Sequence, residues 1–91
     1  MAQLGMAPIS FSSSSRKHGV PEEDQEFAIG NPAVVELIES EVLLIIGHPH
    51  GQTERWIELP IRALPSGDKN VFHAMELGPR FRPFLEEATR R

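Results

Sequence analysis

The sequence predicts an α+β domain in which two short N-terminal helices pack on a three- to four-stranded antiparallel sheet and a C-terminal helix closes the chain. Three observations carry that prediction. Val42 to Gly47 reads VLLIIG, an apolar, largely β-branched run cut short by Gly47-His48-Pro49. Arg55 to Ile61 alternates, with Ile57, Leu59 and Ile61 on one face and Trp56, Glu58 and Arg62 on the other. Phe81, Phe84, Leu85 and Ala88 fall where one face of a helix would place them.

Composition bounds the rest. A chain of 91 residues makes one small domain whose core supplies modest stability. With 40% hydrophobic residues and a formal charge of -4 it is globular rather than wholly disordered. The absence of cysteine excludes a disulfide framework and a thiolate metal site, and fits a reducing, cytoplasmic setting. No apolar run approaches the ~20 residues that span a bilayer, so no membrane partner is expected.

Met1 to Ser15, with Gly5, Pro8 and the run Ser12 to Ser15, has no periodic apolar pattern. It reads as a flexible tail, which places the single folded domain at residues 16–91. Arg16-Lys17-His18-Gly19 closes a short helical turn, with Gly19 just past its end. Pro21 suits the first position of a second helix, and Glu22, Glu23 and Asp24 complement its N-terminal dipole. That helix is predicted to reach about Ile29, to bury Phe27 and Ala28, and to stop at Gly30-Asn31-Pro32.

Ala33 to Ile38 is a first strand by its Val and Ile content. Val42 to Gly47, apolar throughout, is a central strand or one covered on both faces. A helix running through Val34 to Ile46 is the alternative, because Glu36, Glu39 and Ser40 permit helical spacing. Pro60 donates no ladder hydrogen bond and predicts an irregular or open edge there. Pro65-Ser66-Gly67-Asp68 is a turn. If Ser66-Gly67 is its centre, Glu58 lies opposite Met75 and Pro60 opposite His73. Glu58 and His73 are then diagonal neighbours on one face. A bulge in the loop would slip that register by one residue and undo the inference.

The stretch Asn70 to Arg82, NVFHAMELGPRFR, carries the strongest hint of chemistry. Alternation puts Phe72 and Ala74 on one face and Val71, His73 and Met75 on the other, with the strand ending at Gly78. Beyond it Pro83 leaves two readings: Pro79 to Arg82 forms a separate turn, or the last helix starts at Pro83. Elsewhere, His48 and His50 can share a face, but no Cys or well-spaced carboxylate completes a ligand set, so no metal is expected. Charge is uneven. Pro21 to Glu41 carries seven acidic and no basic residues, and the remainder nine basic and six acidic. A basic partner suits the first part, and phosphate the second.

Several short runs also recur in a telling order. They are Lys17-His18-Gly19-Val20, Glu23-Asp24, Ala28, Asn31-Pro32, Ile46-Gly47, Trp56-Ile57-Glu58-Leu59 and Val71-Phe72-His73-Ala74-Met75. Across Arg16 to Leu85 this order resembles the BrnT-type toxins of the RelE/ParE superfamily. The resemblance implies a RelE-like fold and one component of a type II toxin–antitoxin system. Such a toxin cleaves mRNA, blocks translation and is neutralised by a cognate antitoxin. RNA cleavage needs a base, an acid and positive charge around the phosphorane. The resemblance assigns Glu58 or His73 as base or acid and Arg80 to the reacting phosphate. It places Lys17, His18, Arg62 and Arg82 on the RNA backbone and Trp56 against a base. It implies no cofactor. The chain departs from the pattern at Met75, where many BrnT-type sequences carry arginine, and in its overall acidity. The alternative is therefore a catalytically silent RelE-fold binding module or degenerate toxin.

Overall fold

A computed structural model describes residues 9–90 of the chain. Its sheet is built outward from an antiparallel meander of three strands, β2 (Pro32–Glu39), β3 (Val42–Gly47) and β4 (Ile57–Ala63). The strand reading of VLLIIG holds. The chain reverses at Ser40-Glu41, where Glu41 takes a φ of 68°, and this rules out a helix through Val34 to Ile46. β3 is apolar on both sides because both sides are covered. Ile45 joins one core, and Leu44 and Ile46 join the other.

The sheet is larger than the predicted one and is mixed. β5 (Lys69–Val71) and β6 (Met75–Glu76) both pair antiparallel with β4, and β1 (Ile9–Phe11) pairs parallel with β5. Among the described residues six strands result, in the order β1-β5-β4-β3-β2 with β6 also on β4. Residues 9–15 therefore are not a tail. Ile9 and Phe11 pack on the core and Ser12 N–H donates to Val71 O at 3.0 Å. The free edge of β5 supplies partners that three residues of sequence cannot advertise. Residues 1–8 of the predicted tail lie outside the described residues.

Among the described residues one α-helix precedes the meander. The first predicted helix is a 3₁₀ turn, Ser13–Arg16, that runs on to Gly19 at a φ of 78°. α1 (Glu22–Gly30) follows Pro21, whose carbonyl accepts the N–H of Asp24 and of Gln25. It buries Ala28 as predicted, but Gln25 rather than Phe27, which stays 37% exposed. The reason is packing distance. Ala28 sits directly on Gly47, where a Cβ would meet Ala28 O at 3.1 Å, and this close approach turns Phe27 outward toward Gly51.

α1 covers one face of the sheet, over Ile45, Ile57, Leu59, Ile61, Val71 and Ala74. α2 (Arg82–Thr89) covers the other, with Phe81 and Leu85 against Val34, Leu44, Ile46 and Leu77. Its start settles the Pro83 question. The helix begins at Arg82 and takes the proline into its first turn, where no intrahelical N–H is needed. No helix among the described residues is long and apolar enough to cross a membrane.

A one-residue offset on β4 decides where the polar groups go. Near the hairpin Ile61 pairs with Val71 and Ala63 with Lys69, whereas further along Glu58 pairs with Met75. One extra residue is thus accommodated between the two ladders, where Phe72, His73 and Ala74 leave the pairing. The hairpin is also one residue off the predicted centre. Leu64 N–H donates to Asp68 O and Gly67, at a φ of 94°, donates to Leu64 O. Pro60, with no N–H to offer, stands beside the gap, so the irregular edge it predicts is present. Strict alternation fails as a result. Val71 and Ala74 both enter the α1 core, while Phe72, His73 and Met75 line the opposite side.

Candidate functional site

Where β4 passes that gap, its α2-side residues Glu58, Pro60 and Arg62 form the floor of a cleft of about 590 Å³. Phe72, His73 and Met75 form one wall and Gly78 to Phe81 another. The offset brings Glu58 and His73 together as predicted, by restoring the register at Glu58–Met75 after slipping it at the hairpin.

Glu58 is 5% exposed and is the one buried acidic group among the described residues. Burial of a carboxylate demands partners. Its Oε1 accepts the backbone N–H of Gly78 at 2.9 Å, and its Oε2 stands 3.6 Å from Nε2 of His73. That separation is too long for a hydrogen bond but short enough for an ion pair when the ring is protonated. The imidazole of His73 is 32% exposed and faces the cleft. His18, from the turn before α1, meets it edge to face with ring centroids 5.3 Å apart. Glu58 is thus shielded, whereas the two rings and Glu39, a second and exposed carboxylate on the cleft lining, can be reached by solvent or a ligand.

Positive charge comes from two arginines on the cleft. The guanidinium of Arg62 lies 4.5 Å over the ring of Phe72, and that of Arg80 lies 4.9 Å over Phe81. Among the described residues neither has a carboxylate within ion-pair distance. Both are exposed, so their charge is available to an anion.

The remaining predicted residues lie outside the cleft lining. Lys17 is exposed on the same turn as His18. Trp56 is half-buried beside the α2-side core and stacks on the ring of His48 at 3.8 Å and 24°, just before the start of the central strand β4. Arg82 starts α2 and reaches Leu77 O at 3.4 Å. His48 spends its ring on Trp56 and its Nδ1 on Arg55 O, and Nδ1 of His50 accepts the N–H of Gln52. Two features of the cleft escape sequence reasoning. Phe72 points into it because of the offset, and Gly78 contributes only its backbone N–H.

No protein-family model, curated protein or solved structure matches the chain. The chemistry of the cleft therefore rests on its own residues.

Proposed function

We propose that the chain is a toxin-like ribonuclease with a RelE-like arrangement of helices on a sheet, cleaving mRNA in the Glu58–His73 cleft under the control of a cognate antitoxin. One observation carries this reading. A buried carboxylate and two partly exposed imidazoles stand together beside two arginines that, among the described residues, have no carboxylate within ion-pair distance. That set contains what metal-independent RNA cleavage requires.

The roles follow from exposure. His73 takes the proton of the 2′-hydroxyl as its oxygen attacks the adjacent phosphorus. Glu58, too buried to touch RNA, places a counter-charge beside the ring as the proton arrives. His18, in its protonated form, gives a proton to the departing 5′-oxygen as the phosphorus–oxygen bond breaks. The products are a 2′,3′-cyclic phosphate and a free 5′-hydroxyl. Arg62 and Arg80 flank the phosphorane, and Phe72 offers a face on which a base can stack. Lys17 and Arg82 extend the positive margin.

Met75 lines the cleft at the position where the resemblance calls for arginine. It favours a second reading, a catalytically silent binding module of the same fold. Induced expression followed by mapping of RNA 5′ ends separates the two. New 5′-hydroxyl ends and arrested growth, both relieved by co-expression of an antitoxin, support the ribonuclease. Unchanged RNA ends together with retained RNA binding select the silent module.

A further inference from the structure

β2 is the terminal strand of the sheet on the side away from β1, and among the described residues no strand pairs with its outer edge. Its register against β3 is regular from Val34 to Leu37 and shifts at both ends of that stretch. Edges of this kind are usually blunted by lysine, proline or an inward charge. Here Pro32 and the two register shifts guard only the ends, and the regular stretch between them presents Val35 at 54% and Leu37 at 66% exposure, side by side on the α1 face. On the opposite face a groove of about 450 Å³ separates β2 from α2, with Val34 and Phe84 at its base and Glu36 and Glu87 at its rim.

We propose that the β2 edge is a docking site for an extended, lysine- or arginine-bearing segment of another protein, which adds to the sheet as a further strand. Alternation fixes the fit. Apolar side chains of the incoming strand cover Val35 and Leu37, and its basic side chains turn into the groove toward Glu36 and Glu87. The charge along α1 and β2 has one sign, since Pro21 to Glu41 contains seven acidic residues and no Lys or Arg. Across the groove Glu87 stands 4.0 Å from Arg90, which leaves Glu36 as the groove's unpaired acid among the described residues. The same sign argues against a second copy of this chain. Two β2 strands paired about a two-fold axis bring the glutamates of one copy against those of the other, which is unfavourable. The site is independent of the ribonuclease reading, because it is assayed without RNA.

The test is an amide chemical-shift titration of the full chain with two synthetic octapeptides, one alternating lysine and valine, the other alternating glutamate and valine. The lysine peptide is expected to bind and to shift amides of residues 33–38 and 84–88. Its affinity should fall roughly tenfold when ionic strength rises from about 0.05 to about 0.5 M. Leu37→Thr, at an exposed position, should weaken it, and Glu36→Lys should weaken it while admitting the glutamate peptide. Equal binding of both peptides, shifts confined to other surfaces, no binding at millimolar peptide, or self-association through this edge would each overturn the proposal.

Discussion

Replacing Gln25 with methionine keeps the volume of a fully buried side chain and removes two hydrogen bonds. The Nε2 amide of Gln25 donates to Ser15 O at 3.1 Å and Val20 O at 2.9 Å, the two carbonyls that bracket the turn carrying Lys17 and His18. Both acceptors are carbonyl oxygens, so that end of the side chain must be the NH₂ group. Ser15 and Val20 are 0% and 5% exposed, so neither carbonyl readily regains water. Each bond has a net worth of about 1 kcal/mol, and a buried carbonyl stripped of its partner costs about 1–3 kcal/mol. The substitution also removes Gln25 Oε1, which is buried without a partner among the described residues, and this offsets part of the loss. The expected net cost is about 2–3 kcal/mol, or a fall in Tm of roughly 10–20 °C for a domain of this size. Urea unfolding followed by circular dichroism measures it, with an unchanged slope confirming that the folded state stays compact. A loss below about 0.5 kcal/mol, the range of an ordinary surface change, would refute the reasoning that this amide staples the turn to α1.

Three further substitutions test the packing. Gly47→Ala pushes a methyl to 3.1 Å from Ala28 O, against backbone that cannot rotate away, and should cost about 1–3 kcal/mol in the same urea assay. Leu44→Ala, at 0% exposure in the α2-side core, should cost about 2–5 kcal/mol, with calorimetry showing a lower Tm. Arg55→Ala breaks the pair in which Arg55 Nε donates to Glu76 at 2.8 Å, yet both side chains are about half exposed. It should change stability by less than about 1 kcal/mol, and that small effect should shrink further in salt.

The sequence was legible where one force dominated. β3 could be bounded at Val42 and Gly47 because burial on both faces leaves a continuous apolar run between turn residues. The meeting of Glu58 and His73 followed from placing both on one face of a hairpin. The details of that hairpin were not legible. Its one-residue offset depends on how Leu64, Gly67 and Asp68 close the loop, a balance among hydrogen bonds that no periodicity records. Phe72 and Ala74, which simple alternation places on one face, therefore lie on opposite faces, and the cleft gained an aromatic ring. β1 was hidden for a different reason: three residues pairing with a distant strand carry no local signal. Gln25 and Phe27 exchanged places because the contact of Ala28 with Gly47 sets the roll of α1, and helical spacing alone does not contain that contact. Trp56, a natural partner for a base by residue type, is committed to His48 instead.

The claim that the Glu58–His73 cleft cleaves RNA is tested most directly by incubating the purified chain, beside its His73→Ala and Glu58→Gln variants, with a 5′-labelled single-stranded RNA. The products are then resolved together with their termini. The account predicts fragments ending in 2′,3′-cyclic phosphate from the unaltered chain. His73→Ala should lose about 10²-fold or more of the rate, as expected for a general base, and Glu58→Gln should retain measurable but slower cleavage. Cleavage undiminished by His73→Ala, or no cleavage by the unaltered chain, would contradict it.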